Sequence, residues 1–158
     1  MAYNREEVIV SSIQRIPKRK LSNFRALPAH RQLIDDIARQ SGLANRTDYL
    51  LAAIATVSGH AELLPTKLQN SDFTADQLIY RAGNAPAVDP QPGPDRVQVN
   101  FRALPADLRL IETIAQRAQM TRNDYILAAL ATASGCAALM PEKLQPRYQE
   151  VIDYPKTG

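Results

Sequence analysis

The chain has 158 residues, a formal net charge of +3, no tryptophan and a single cysteine, Cys136. That length allows one domain or two small ones. The lone cysteine excludes an internal disulfide framework and fits a reducing cytosol, and no run of about 18 apolar residues is present to span a membrane as a helix.

The N-terminal stretch MAYNREEVIVSSIQ has too short an apolar patch, with acidic flanks, for a secretory signal. Residues 1–20 read as a basic arm. Between Val8 and Ile34 lie Arg15, Lys18, Arg19, Lys20, Arg25 and Arg31, with no Asp or Glu among them. Such a run is either a solvated arm or one that meets a polyanion. Pro17 keeps the local chain extended.

Beyond the arm the chain repeats itself. NFRALPA occurs at Asn23–Ala29 and again at Asn100–Ala106. Asn23–Ser41 matches Asn100–Ala118 at 11 of 19 positions without a gap, and Asn45–Gln69 matches Thr121–Gln145 at 16 of 25. The offset changes by one residue near Gly42–Ala44, which marks a loop. Two units result, residues 21–69 and 97–145. Two copies are too few for a solenoid, and a unit of this size gains by sharing a core with its copy.

Each unit predicts strand, helix, helix. In the second, Val97, Val99 and Phe101 alternate with Gln98, Asn100 and Arg102, giving one apolar and one polar strand face. Pro105, like Pro28, suits the first turn of a helix. Leu108, Ile111, Ala115 and Ala118, with Leu110 and Ile114 beside them, set an apolar face at helical spacing. Thr121 can cap the next helix, with Asp124 supplying negative charge in its first turn. NDYILAALATASG is apolar nearly all round and predicts a buried helix, ended by Gly135 as its counterpart is by Gly59. A further short helix is expected in LLPTKLQ and LMPEKLQ.

A lone short strand cannot persist unpaired. The expected partner is its own copy, Leu21–Arg25 against Gln98–Arg102, in an antiparallel ribbon above the helices. Residues 70–96, with APAVDPQPGP, read as an extended, semi-rigid linker, and residues 146–158 as a tail. The fold class is therefore mainly α with a two-stranded antiparallel β-ribbon.

NFRALPADLRLIETIAQRAQMTRNDYILAAL resembles the ribbon-helix-helix (MetJ/Arc) superfamily. Within it, the stretch is most similar to antitoxins of GNAT acetyltransferase toxins. The matching residues are Asn100, Phe101, Arg102, Pro105, Asp124, Tyr125, Ile126 and Leu127, and in the first copy Asn23, Phe24, Arg25, Pro28, Asp48, Tyr49, Leu50 and Leu51. Most members are single-unit homodimers. The tandem arrangement departs from that pattern and resembles conjugative relaxosome accessory proteins.

The resemblance implies a single-chain pseudodimer whose ribbon enters the DNA major groove. Asn23, Arg25, Gln98, Asn100 and Arg102 would then meet base edges, since Arg can donate two bonds to guanine and Asn can pair with adenine. Gln98 corresponds to Leu21, so the site read is expected to be imperfectly palindromic. Phosphate contacts are expected from Arg15, Lys18, Arg19 and Lys20 in the arm. The N-termini of the second helices are expected to add Asn45, Arg46 and Thr47 together with Thr121, Arg122 and Asn123.

The remaining chemistry-bearing residues suggest no catalysis. Tyr49 and Tyr125 read as core, and Asp35, Asp36 and Glu112 as solvated. His60 aligns with Cys136, but neither has the companions a metal site needs. With two histidines, no Gly-rich phosphate loop and no nucleophile elbow, neither an enzyme nor a cofactor is predicted. The functions in view are a transcriptional repressor that autoregulates as antitoxins do, a relaxosome or plasmid-partition accessory, and a toxin-neutralising interaction module. The partners are double-stranded DNA, a GNAT-type toxin or a relaxase, and a second copy on an adjacent DNA site. No membrane contact is predicted, and the location is the bacterial cytosol or nucleoid. SDFTADQLIY and RYQEVIDY are the segments that could hold a toxin, or could pack locally.

Overall fold

The structure, a computed structural model, describes residues 18–43, 45–69, 71–81, 96–141 and 144. Strand β1 (Lys20–Ala26) is followed by helices α1 (Pro28–Gln40), α2 (Arg46–Ser58) and the short α3 (Thr66–Gln69). Strand β2 (Val97–Ala103) then leads into α4 (Pro105–Arg117) and α5 (Arg122–Ser134). Single helical turns at Ala61–Leu63, Ala75–Leu78 and Ala137–Leu139 complete the described chain.

The strands pair antiparallel, from Lys20 opposite Ala103 to Ala26 opposite Val97, with Asn23 opposite Asn100 at the centre. Period two then sorts the side chains. Phe24, Ala26, Val99, Phe101 and Ala103 are buried, while Leu21, Arg25, Gln98, Asn100 and Arg102 are exposed and Asn23 is half-buried. Phe24 and Phe101 meet beneath the ribbon at 6.2 Å between ring centroids, tilted by 51°. Each fully buried phenylalanine contributes ~2–3 kcal/mol of transfer free energy.

The helix boundaries follow local rules. Leu27 and Leu104 are extended residues leading straight into Pro28 and Pro105, without side-chain caps. A proline there has no N–H to leave unsatisfied. Asn45 and Thr121 cap α2 and α5 by accepting from the N–H groups of Asp48 and Asp124 at 2.9 and 3.1 Å. Gly59 and Gly135 end those helices at φ of 78°. Helices α2 and α5 form the principal helix–helix contact. Both are buried along most of their length, from Tyr49 to Ala55 and, apart from Ala128, from Tyr125 to Ala131.

Three features differ from the sequence reading. Ala118, placed on the apolar face of α4, is exposed, because the helix ends at Arg117 and Ala118 is its C-cap. The segment read as the start of an extended linker packs onto the core through residue 81. Leu78 is fully buried, its carbonyl accepts from the Tyr49 hydroxyl at 2.5 Å, and the Tyr80 N–H donates to the Ser134 carbonyl at 2.9 Å. SDFTADQLIY is thus held by this chain's own core. Thirdly, Asp35 is only partly exposed and is paired with Arg46 at 2.9 Å. Residues 82–95, with the proline-rich stretch, and 145–158, with RYQEVIDY, lie outside the described residues, as does Arg15.

Candidate nucleic-acid interface

The exposed face of the ribbon carries three cross-strand pairs: Leu21 with Arg102, Asn23 with Asn100, and Arg25 with Gln98. Two guanidiniums, two carboxamides of Asn and one of Gln stand there with no carboxylate among them. Gln98 donates to Asn100 Oδ1 at 3.0 Å. Neither the Arg25 nor the Arg102 guanidinium is engaged by another described residue, and both side chains project into solvent. A face of exposed donors and acceptors on a two-stranded ribbon has the width and the chemistry to meet base edges in a major groove.

What holds this face rigid comes from the opposite repeat. The amide of Asn123, at the start of α5, grips the backbone of Arg25 twice: Oδ1 accepts from its N–H at 2.6 Å and Nδ2 donates to its carbonyl at 3.1 Å. Thr47, at the matching place in α2, accepts from the Arg102 N–H at 3.1 Å. Arg122 donates to the Asn23 carbonyl at 3.1 Å and to Ser22 Oγ at 3.2 Å. Arg46 donates through Nε to the Asn100 carbonyl at 3.1 Å and through Nη1 to Asp35. The second partners differ because the repeats differ: Ser22 corresponds to Val99, and Asp35 to the exposed Glu112.

These contacts give Arg46 and Arg122 a structural reason to be identical in the two repeats. Each guanidinium bridges a helix start to the strand backbone below the exposed face. Asn45 and Thr121 cap their helices, and Thr47 and Asn123 bind strand backbone. The helix starts still present N–H groups that lack intrahelical acceptors.

One buried charge escaped the sequence reading. The Asp48 side chain is 0 % exposed, with Lys67 Nζ at 2.5 Å and Arg19 Nη1 at 3.5 Å. Neither carboxylate oxygen receives an aligned hydrogen bond from a described residue, so the two cations are what balance it. A signal existed: Asp48 and Lys67 recur as Asp124 and Lys143. Arg19, one of the arm residues expected on phosphates, is engaged here. It also lies near Asp107, where burial raises the carboxyl above its usual range and Arg19 pulls it down. Lys18 and Lys20 are exposed.

Two tyrosines add polar groups to the core. Burial above all pushes the Tyr49 phenol far up; nearby Cys136 adds to the shift and the Ser134 hydroxyl opposes it. Burial also raises Tyr125, with Ser58 opposing. His60 Nδ1 sits 3.0 Å from Glu62, and among the described residues no group of His, Cys, Asp and Glu could hold a metal ion.

Comparison of the chain with protein families, with curated proteins and with solved structures gave no match.

Proposed function

We propose that the chain is a sequence-specific double-stranded DNA-binding protein that lays its β1–β2 ribbon in the major groove. The fold is read as a tandem ribbon-helix-helix unit, a pseudodimer made within one chain. The observation that supports this best is the ribbon's exposed face, where Asn23, Arg25, Gln98, Asn100 and Arg102 stand free of carboxylates on a backbone fixed from beneath. Fixing matters because base readout needs donors held in place before binding. Arg25 and Arg102 would read guanine, and Asn23 and Asn100 adenine.

Phosphates would be met by Arg15, Lys18 and Lys20 and by the starts of α2 and α5, around Asn45–Thr47 and Thr121–Asn123. Arg19 contributes less, since Asp48 already holds it. The biological role is that of a repressor that binds its own operator, as antitoxins do. The tandem arrangement favours one second reading, an accessory DNA-binding protein of conjugative transfer or plasmid partition. The interaction-module reading loses support because SDFTADQLIY packs on the core.

Selection of binding sites from a random duplex library tests the proposal. Enrichment of a short duplex motif with guanine at two positions set by Arg25 and Arg102 supports it. A protein that enriches no duplex sequence over several rounds contradicts it.

A further inference from the structure

The exposed face of the ribbon is chemically symmetric except at one pair of corresponding positions. Gln98 in the second repeat is matched by Leu21 in the first. Leu21 is 58 % exposed, more than any other large apolar side chain described, and alternation along β1 puts it on the same side as Asn23 and Arg25. One end of the face therefore pairs Arg25 with Gln98, and the other pairs Arg102 with Leu21.

The core makes no use of Leu21, and its two strand neighbours on that face, Asn23 and Arg102, are polar. Leucine has neither donor nor acceptor. Pressed against a base edge, it would strip water from polar atoms and return no hydrogen bond. A single group in the major groove suits it: the C5 methyl of thymine. We propose that Leu21 recognises a thymine methyl, so that one half of the site is read by Arg25 with Gln98 and the other by Arg102 with Leu21. The site is then non-palindromic at that pair of positions, and a single chain binds it in one orientation. This rests on the DNA-binding reading above.

Replacing that thymine by deoxyuridine removes the methyl and leaves every hydrogen-bonding group in place, which makes it the decisive probe. Binding of the selected duplex and of its deoxyuridine counterpart would be measured for the natural chain and for Leu21→Gln. The natural chain is expected to lose about fourfold in affinity, the worth of one buried methyl group. Leu21→Gln should bind both duplexes alike and, in a fresh selection, enrich a site palindromic at these positions. Leu21 is exposed, so the variant should keep the parent's unfolding midpoint. Equal affinity of the natural chain for the two duplexes overturns the assignment, as does a palindromic site selected by the natural chain. Failure to enrich any duplex overturns the DNA reading itself and this assignment with it.

Discussion

Arg46 Nε donates to the backbone carbonyl of Asn100 at 3.1 Å, so the second helix of one repeat holds the strand of the other. Arg122 does the same for the Asn23 carbonyl at 3.1 Å. The two residues whose carbonyls are held are the pair at the ribbon's centre. The strands are thus fastened crosswise, and neither repeat completes its own ribbon support.

Removing either arginine should show in stability. Arg46→Ala and Arg122→Ala are each expected to lower unfolding free energy by ~1–2 kcal/mol, the range for charge-assisted hydrogen bonds that are partly exposed. Lysine should not restore it, because one ammonium cannot serve two acceptors in the fork geometry of a guanidinium. Urea unfolding followed by circular dichroism measures this. An unchanged midpoint for both alanine variants would remove these arginines from the account of ribbon support.

The Asp48 pocket predicts an asymmetric pair of variants. Lys67→Met leaves a buried carboxylate whose one remaining cation among the described residues is Arg19 at 3.5 Å. It should cost ~1–3 kcal/mol, less than for a wholly buried pair because Lys67 is half exposed. Adding Asp48→Asn to Lys67→Met should recover part of the loss by removing the uncompensated charge. A double-mutant cycle reads the coupling directly, and strictly additive losses would show that the pair does not interact.

Tyr49 predicts alkaline sensitivity. Its phenol is raised in the folded state, so folding favours the protonated form. The stability this contributes is present in full below the unfolded value of ~10 and falls as pH rises above it, because the unfolded chain then releases the proton more readily. Tyr49→Phe should therefore show a shallower loss of stability between pH 9 and 11 than the natural chain. At neutral pH it should cost ~1 kcal/mol for the lost bond to the Leu78 carbonyl. Parallel pH profiles for the two proteins would contradict the assignment.

The loops between paired helices predict a stabilising change. Gly42 and Gln119 occupy corresponding places, at φ of 79° and 58°. Only glycine enters that region without a Cβ penalty. Gln119→Gly should raise stability by ~0.5–1 kcal/mol after the extra unfolded-state entropy is subtracted, whereas Gly42→Ala should lower it although nothing lies within 4 Å of the added carbon. Thermal unfolding of the two variants checks the opposite signs.

Much of this was legible in the sequence because local rules govern it. Alternation at Val97–Arg102, proline at 28 and 105, the Thr121 cap and the glycines at 59 and 135 each act within a few residues. The pairing of β1 with β2 was legible because the strand was duplicated. What stayed hidden depends on tertiary neighbours. Arg46 and Arg122 recur in both repeats whether they meet phosphate or backbone, and recurrence does not name the partner. The segment from Leu78 to Tyr80 docks because the Tyr49 hydroxyl faces the Leu78 carbonyl and the Ser134 carbonyl faces the Tyr80 N–H. Arg19 reads as a free arm residue in the sequence because the burial of Asp48 depends on tertiary neighbours.

On the proposed function, the outward side chains of the ribbon select a DNA sequence. The most direct measurement is the affinity for the selected duplex and for a scrambled duplex at one salt concentration, for the natural chain, Arg25→Ala and Arg102→Ala. Each substitution removes an exposed side chain from a face the core does not use, so folding should be preserved. Each variant is expected to lose ~5- to 150-fold of the preference for the selected duplex, the worth of one bidentate arginine–guanine contact. Affinity for the scrambled duplex should fall far less. Two variants that keep the parent's full preference would contradict direct readout by the ribbon.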